Sequence, residues 1–246
     1  MIREVLEPRV TLIGKPLFVE PAHLPVAWEG EGSDGARLAE FSGRMCYMSQ
    51  GNPADRTTQE YVDNIKRLAH GSVLEHANYS LLIEGISRSL SHEFVRHRAG
   101  FAYSQLSQRY VDESNVEFVV PPAVLEGAQE QRDTWRTVCT VTLHGYSVLT
   151  DSLIAQYAHI EQGTERRKKA REAARSLLPN AAETKLVATG NGRSWRHWLE
   201  MRGGAGADRE MQRLAPHVYR TLLEAAPEFF SDYRADAYFA TPFEKV

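Results

Sequence analysis

The chain has few of the residues on which disulfide-rich and metal-dependent proteins rely. Its 246 residues include only two cysteines, Cys46 and Cys139, with no CxxC pair and no cluster of cysteine and histidine. Secreted chains that depend on disulfide frameworks carry more cysteines in a shorter length, and structural zinc sites need such clusters. The composition therefore predicts reduced thiols, a cytoplasmic location and no bound metal.

Long apolar runs are also missing. No stretch approaches the roughly 18 consecutive apolar residues that a membrane span requires. The first residues, MIREVLEPRVTLIGKPL, place acids and a proline where a secretory signal needs an apolar run. We therefore expect neither a membrane partner nor secretion.

Several familiar catalytic and binding motifs are absent as well. There is no GxSxG nucleophile motif, and the lone GNG at residues 190–192 lacks the GxGxxG pattern of a dinucleotide-binding turn. His70, Glu75 and His76 do not have the HExxH spacing of a zinc protease. The net charge of −3 leaves no global basic field for duplex DNA. These absences count against a serine hydrolase, a dinucleotide-binding fold and a general DNA-binding protein.

What the chain does have is a dense polar segment at residues 94–110, FVRHRAGFAYSQLSQRY. It carries Arg96, Arg98 and Arg109 together with hydroxyl and amide side chains. Guanidinium groups donate paired hydrogen bonds that suit phosphate oxygens, and a polar loop of this kind is typical of a binding site. The segment predicts a site for a small anionic ligand.

The spacing of apolar residues predicts an α+β fold. The predicted strands are residues 10–13, 78–86 and 116–120. The predicted helices are residues 36–47, 59–70, 87–98, 128–162, 165–178, 194–202 and 208–226, and a loop rich in glycine and acids is predicted at 29–35. No internal repeat or linker is evident, so residues 1–246 are interpreted as a single domain with a modest β-sheet packed by several long helices.

Two further segments carry arginines. Residues 165–175, ERRKKAREAAR, have the composition of a solvated helix face, although Arg175 precedes two leucines and is predicted to point inward. In residues 189–202, TGNGRSWRHWLEMR, the tryptophans are predicted to pack in the core and Ser194 to cap a helix. A nucleic-acid-binding protein is one alternative interpretation of these basic segments. The negative net charge and the lack of aromatic residues among the charges of 165–175 count against it.

Taken together, these segments resemble the flavin-dependent thymidylate synthase family. That family is marked by RHR followed, after seven residues, by Ser, and here RHR is Arg96-His97-Arg98, with SQLSQRY following at residues 104–110. Further segments that match in order are HGSVLEHA at 70–77, ISRSLSHEFVRHR at 86–98, AARSLLPNAAETK at 173–185, TGNGRSWRHWLEMR at 189–202 and ADREMQ at 207–212. The resemblance covers most of the chain.

The resemblance implies an enzyme that methylates C5 of deoxyuridylate (dUMP) to give thymidylate. It implies FAD as cofactor, NADPH as reductant, methylene-tetrahydrofolate as carbon donor, and a homotetramer whose active sites are shared between subunits. By motif position, the implied FAD contacts are Ser72, Arg96, His97, Arg98, Gln105, Asn191, Gly192, Arg193 and His197. The implied nucleotide contacts are Glu93, Phe94, Val95, Arg96, Gln105, Ser107, Gln108, Arg109, Arg175 and Arg202, and Arg202 is also the implied catalytic residue.

The implied role of Arg202 agrees with elementary chemistry. Methylation at C5 of uracil needs electron density on that carbon, and a cation beside the N3/O2 edge of the ring stabilises the negative charge that develops. No covalent enzyme nucleophile is then required, which fits a chain without an evident activated cysteine. Hydride delivery belongs to the flavin, while the protein supplies position and electrostatics.

The chain departs from the family pattern in two places. Eight residues, Ala99–Leu106, separate RHR from Ser107, where the family has seven. Gly206 stands where the family usually has a histidine, in a glycine-rich and therefore permissive segment that follows Arg202. One alternative is therefore a relaxed enzyme that methylates both uridylate (UMP) and dUMP, as some relatives do in nucleoside-antibiotic biosynthesis. An inactive relative with a structural role is another, and the complete set of arginines argues against it.

Overall fold

Helices make up most of the regular structure in the computed structural model, which describes residues 2–28, 32–243 and 246. The α-helices are α1 (Asp34–Met45), α2 (Thr58–Arg67), α3 (Arg88–Phe94), α4 (Pro122–Leu125), α5 (Gln129–Gln156), α6 (Gly163–Ala174), α7 (Gly192–Arg202), α8 (Arg209–Ala225) and α9 (Pro227–Phe230). Short 3₁₀-helices lie at Gly71–His76, Arg175–Leu177 and Ala235–Ala237. Of the predicted 29–35 loop, residues 29–31 lie outside the described residues.

The strands form two small sheets. They are β1 (Glu4–Val5), β2 (Arg9–Gly14), β3 (Asn78–Ser87), β4 (Phe101–Gln105), β5 (Phe118–Val119) and β6 (Glu183–Asn191). Four of them pair in the order β2-β3-β6-β4, and β1 pairs with β5 in parallel. Alternate residues Tyr79, Leu81 and Ile83 of β3 are buried, which is the period-2 pattern of a strand with one covered face. The prediction of an α+β fold with a modest sheet is confirmed.

The chain divides into two compact units, each assembled from several segments. Unit 1 contains Met1–Arg9, Ile83–Arg96 and Ser104–Leu186, and unit 2 contains Val10–Leu82, His97–Tyr103 and Val187–Val246. Each strand of the four-stranded sheet has residues in both units. That residues 1–246 act as a single domain stays a prediction.

Unit 1 is organised around the long helix α5. The buried residues Phe118, Cys139 and Ala182 form a cluster, against which partly buried apolar residues pack. The helix is less buried than its apolar spacing predicts, because Val138 and Val141 are more than half exposed. The core of unit 1 therefore covers only part of this helix.

Unit 2 contains the two tryptophans of α7 in its core. Trp195 and Trp198 are fully buried, and the indole nitrogen of Trp195 donates to the backbone oxygen of Tyr79 at 3.2 Å. The prediction that these tryptophans pack in the core is confirmed. Their burial fixes the orientation of α7, and with it the direction in which the polar residues of this helix point.

Four predictions of local structure are wrong. The helix predicted at 87–98 ends at Phe94, so Arg96 and His97 lie beyond it. Helix α7 begins earlier than predicted, and the side chain of Asn191, not Ser194, caps it. The long helix ends at Gln156 rather than at residue 162. Strands β4 and β6 were not predicted, because polar residues interrupt their apolar pattern.

Within the described ranges, no helix combines the length and the apolar character that crossing a bilayer would take.

Candidate active site

Unit 1 contains a polar cavity of about 510 Å³. Helix α3, the segment that follows β4, and the end of α6 with the residues after it supply its walls. The lining residues are Arg88, His92, Gln108, Glu172, Arg175, Ser176, Leu178, Pro179 and Asn180. Guanidinium, imidazole, amide and hydroxyl groups therefore dominate this cavity, and they are the groups that bind oxyanions.

Two arginines give the cavity its charge. Burial lowers the pKa of Arg88, the charge of Arg175 lowers it further, and the nearby carboxyl group of Glu113 opposes that change. In the part of the chain that the structure describes, neither Arg88 nor Arg175 forms an ion pair with an acid. Two cations held close together repel each other, and partial burial also costs Arg88 solvation, so an anion bound between them is favoured. The cavity is therefore electrostatically suited to an anionic ligand.

The segment after β4 adds further polar groups. Gln108 is buried at the cavity wall. The Arg109 guanidinium forms an ion pair with Glu172 at 2.9 Å, and the Arg109 backbone nitrogen lies 3.4 Å from the Ser107 hydroxyl oxygen, to which it donates. The three predicted nucleotide contacts at 107–109 thus lie beside the cavity that Arg175 also lines.

Arg175 itself is oriented differently from the prediction. It is the C-cap residue of α6, and its side chain is exposed rather than pointing into the protein. The two leucines that follow it do not draw it inward, since Leu177 is exposed as well. Its position at the cavity mouth makes the guanidinium accessible to a ligand.

Other predicted contact residues in unit 1 do not line the cavity. The amide nitrogen of Gln105 donates to the hydroxyl groups of Ser91, at 2.7 Å, and Thr184, at 3.4 Å. Phe94 is fully buried, so only its backbone is suited to meet a ligand. The remaining predicted residues of this stretch, Glu93, Val95 and Arg96, are half-buried or exposed.

In unit 2, Arg202 ends helix α7 and contacts a histidine. Its Nε donates to Nε2 of His97 at 2.7 Å, which requires a neutral imidazole with its proton on Nδ1. Burial, followed by the charge of Arg202 and then the neighbouring His197, lowers the pKa of His97 to about 4. The imidazole is therefore neutral at physiological pH and holds the guanidinium in one direction.

The start of α7 gathers several of the predicted flavin contacts. The Asn191 side chain accepts a hydrogen bond from the Ser194 backbone nitrogen at 2.8 Å, and Gly192 is the first helical residue. Arg193 forms an ion pair with Glu75 at 2.7 Å. Ser72 lies on the Gly71–His76 3₁₀-helix, which packs against α7. Exposed side chains in this unit include Ser72, Arg98 and His197.

A glycine turn brings the RHR segment against this helix start. Gly100 has a φ of +71°, and a Cβ there would lie 2.1 Å from the Ser194 hydroxyl oxygen. That hydroxyl donates to the backbone oxygen of Ala99 at 3.0 Å, and the backbone nitrogen of Asn191 donates to that of Gly100 at 3.3 Å. Only glycine fits this left-handed, crowded position without strain. The longer Ala99–Leu106 segment thus begins with a turn that is closely packed on α7.

The glycine-rich segment after Arg202 is restrained by one side chain. The amide nitrogen of Gln212 lies within 3.2 Å of the backbone oxygens of Gly204, Ala205 and Ala207. Among the residues that the structure describes, nothing lies within 4 Å of a Cβ built at Gly206. Gln212 therefore holds residues 204–207 against α8, and the described residues leave the space beside Gly206 open.

Sequence reasoning missed several cavity residues: Arg88, His92, Ser176 and Asn180. A signal for two of them exists, because Arg88 and His92 are four residues apart on α3 and so share a face. Ser176 and Asn180 follow the end of α6, where only the folded chain shows which residues face the cavity. Over residues 2–28, 32–243 and 246, no group of three or more histidine, cysteine or acidic side chains is arranged to hold a metal.

The chain is similar to known proteins over most of its length. The family model described as thymidylate synthase complementing protein matches residues 31–228. The flavin-dependent thymidylate synthase of Mycolicibacterium vanbaalenii is 45% identical over 94% of this chain and 91% of its own length. That of Mycobacterium avium is 44% identical, with the same shares of each chain covered.

Two solved structures have a similar fold. One is the UMP/dUMP methylase PolB from Streptomyces cacaoi bound with 5-Br dUMP, with a TM-score of 0.69, 20% identity, and 98% of this chain and 100% of that chain covered. The other is thymidylate synthase X from Helicobacter pylori with FAD and dUMP, with a TM-score of 0.59, 21% identity, and 92% and 98% covered. At these identities the structural likeness concerns the fold alone.

Proposed function

Because the chain belongs to the flavin-dependent thymidylate synthase family, we propose that it methylates C5 of dUMP to give thymidylate. The carbon donor is methylene-tetrahydrofolate, and the hydride comes from FAD reduced by NADPH. The observation that carries this proposal is the unit 1 cavity, in which Arg88 and Arg175 lie close together and neither forms an ion pair with an acid among the described residues. A nucleotide phosphate supplies the negative charge that this pair lacks.

Several residues around that cavity share the contacts to the nucleotide. Arg88, Arg109 and Arg175 hold the phosphate, with the Ser107 hydroxyl and the Gln108 amide as further hydrogen-bonding groups. The side chains of Ser176 and Asn180 extend the polar wall. Since the Phe94 side chain is buried, Phe94 contacts the nucleotide through its backbone. Glu93 and Val95 contact it through their partly exposed side chains.

The donor set of unit 2 fits a flavin dinucleotide. Its pyrophosphate and ring carbonyls need hydrogen-bond donors, and Ser72, Arg98, Arg193 and His197 supply hydroxyl, guanidinium and imidazole groups with exposed or partly exposed side chains. The amides at the start of α7 are of the kind that favours anions. When bound, the flavin supplies hydride transfer. Arg96, His97, Gln105, Asn191 and Gly192 complete the proposed contacts.

Arg202 stabilises the reacting pyrimidine. In the proposed complex with the nucleotide, its guanidinium stabilises the negative charge that develops at the N3/O2 edge of the ring as C5 attacks the transferred carbon. The neutral imidazole of His97 accepts the Arg202 Nε–H at 2.7 Å and so keeps the guanidinium aimed at one place. No cysteine is needed as a nucleophile. Burial raises the pKa of the Cys139 thiol to about 11, so this thiol is not the thiolate that attack requires.

We expect the enzyme to work in the cytoplasm as a homotetramer with shared sites. The helix α5 supports assembly, because Val138, Val141 and Val148 are each more than half exposed along it. Such a row of apolar side chains is typical of a surface covered by another chain. Sedimentation velocity should give a species of four chains, and a monomer at micromolar concentration would contradict this expectation.

The proposal has a direct test. The purified protein should bind FAD, show an oxidised-flavin absorption spectrum, and lose that absorption when NADPH and dUMP are added. With methylene-tetrahydrofolate present, thymidylate should form in proportion to the flavin-loaded protein. A protein that takes up no FAD, or that takes it up and forms no thymidylate, would refute the proposed function.

A relaxed enzyme that also methylates UMP remains the second candidate. The observation behind it is the longer Ala99–Leu106 segment, whose Gly100 turn is packed on Asn191 and Ser194. Because the turn is packed rather than bulging, we expect dUMP to be preferred. Values of kcat/KM measured for both nucleotides decide the matter, and equal values would favour the relaxed enzyme.

A further inference from the structure

One acidic side chain interrupts the positive wall of the unit 1 cavity. Among the described residues that line the cavity, Glu172 is the only carboxylate. Its side chain is 53% exposed, and it forms an ion pair with Arg109 at 2.9 Å. An acid in an anion-binding cavity weakens the binding of every anion, so its presence there needs a reason.

We propose that Glu172 sets the charge selectivity of this cavity, admitting a nucleoside monophosphate and opposing a nucleoside diphosphate. The inference rests on the proposed function of the cavity as the nucleotide phosphate site. At rest Glu172 pairs with Arg109 and keeps its guanidinium at the cavity. A phosphate then takes over this guanidinium, while the carboxylate stays nearby as a fixed negative charge.

The balance of charges explains the selectivity. Arg88, Arg109 and Arg175 contribute +3, and Glu172 contributes −1, which leaves +2 from these four side chains. A phosphate monoester carries about −1.5 to −2 at neutral pH, so the monophosphate matches the cavity. A diphosphate brings about one further negative charge. That charge has no cation to match it and lies near the Glu172 carboxylate, which repels it.

The matched control lies on the same helix. Glu165 also forms an ion pair on α6, with Lys168 at 3.3 Å, and its side chain is 38% exposed against 53% for Glu172. It lies seven residues before Glu172, or about 10 Å along the helix, and does not line the cavity. At physiological salt this separation is close to the screening length, so neutralising Glu165 should leave anion binding in the cavity unchanged.

The test compares FAD-loaded wild type with Glu172→Gln and Glu165→Gln by isothermal titration calorimetry with dUMP and dUDP. We expect wild type to prefer dUMP. In Glu172→Gln the dissociation constant of dUDP divided by that of dUMP should fall by roughly three- to tenfold. That is the effect of one unit charge at a solvated site. Glu165→Gln should keep the wild-type ratio, and Glu172→Asp, which retains the charge on a shorter side chain, should stay close to it.

Each outcome has one meaning. An unchanged ratio in Glu172→Gln, or a shift of the same size in Glu165→Gln, would overturn the role of Glu172. Loss of selectivity in Glu172→Asp equal to that in Glu172→Gln would also overturn it, since the ion-pair geometry and not the charge would then matter. A wild-type protein that binds FAD but neither nucleotide would instead contradict the proposed phosphate site.

Discussion

The two units treat buried charge in opposite ways. In unit 2, Arg196 and Lys66 are fully buried, and both contact the same carboxylate, Asp232, at 2.8 and 2.9 Å. In unit 1, Arg88 and Arg175 meet at a cavity, and neither forms an ion pair with an acid among the described residues. A buried charge that has its partner within the chain maintains the fold. A partly buried charge without one is suited to an anionic ligand, and we place the substrate phosphate there.

The pKa values of the buried acids in the two units differ for the same reason. Burial raises the pKa of Asp232, but hydrogen bonds from Arg196 and the charges of Arg196 and Lys66 outweigh it, so that the pKa lies below its usual value. Glu113 in unit 1 is also buried, and burial with the nearby Glu183 raises its pKa to about 7. Pairing with Arg196 and Lys66 thus keeps Asp232 ionised, while the less completely paired Glu113 takes up a proton near neutral pH.

The largest effect should come from the arginine that we assign to catalysis. Arg202→Ala removes the cation beside the pyrimidine, and removing one such electrostatic group lowers kcat by about 10²- to 10³-fold. Flavin absorption and the free energy of unfolding should stay close to wild type. The control is Arg220→Ala, an exposed arginine on α8. Full activity in Arg202→Ala would refute its role.

Asp232→Asn tests the claim that the charges of unit 2 maintain the fold. It leaves Arg196 buried without its carboxylate partner and Lys66 with only the partly exposed Asp63, at 2.8 Å, and we expect the free energy of unfolding to fall by about 3 kcal/mol. Urea denaturation measures this change. The exposed Asp236, which lies 3.9 Å from Arg234, provides the control Asp236→Asn, for which no measurable loss is expected. Equal effects of the two substitutions would remove the contrast between the units.

Arg175→Gln tests the opposite claim for unit 1. Loss of a charge-assisted contact to phosphate should raise the dissociation constant of dUMP by roughly 10- to 100-fold. The free energy of unfolding should not fall, because the substitution also removes repulsion from Arg88. Calorimetric titration and urea denaturation of the same preparation give both quantities, with Arg167→Gln on the exposed face of α6 as control. Destabilisation without weaker nucleotide binding would show that Arg175 is structural.

Glu113→Gln should have the smallest effect, and only at higher pH. Because the pKa of Glu113 is raised to about 7 in the folded state from its usual value of 4.5, its contribution to stability is complete below pH 4.5 and is lost as the pH rises through 7. The free energy of unfolding of the variant should therefore equal that of wild type at pH 5 and be higher by about 2 kcal/mol at pH 8. Urea denaturation at both pH values checks this, and parallel pH profiles for the two proteins would contradict it.

Motifs and long periodic helices were predictable from the sequence, whereas short or interrupted elements were not. The apolar spacing of residues 59–70 and 208–226 predicts helices close to α2 and α8. In contrast, β6 has no predictive pattern in its sequence, because Thr184, Ala188 and Gly190 are buried next to neighbouring strands for reasons that local propensity does not contain. The end of α3 at Phe94 was missed as well, because the local spacing of apolar residues does not mark it.

The sequence by itself determined the family and most of the chemical groups, because RHR, the 104–110 segment and Arg202 are recognisable wherever they lie in space. Only the tertiary structure decided how those groups are used. It brought Arg88, which no motif singled out, to the cavity that Arg175 lines, and it placed Nε2 of His97 2.7 Å from Arg202. It also set Glu172 against Arg109. Charge pairing depends on distance and burial, and neither can be read from residue order until the chain has folded.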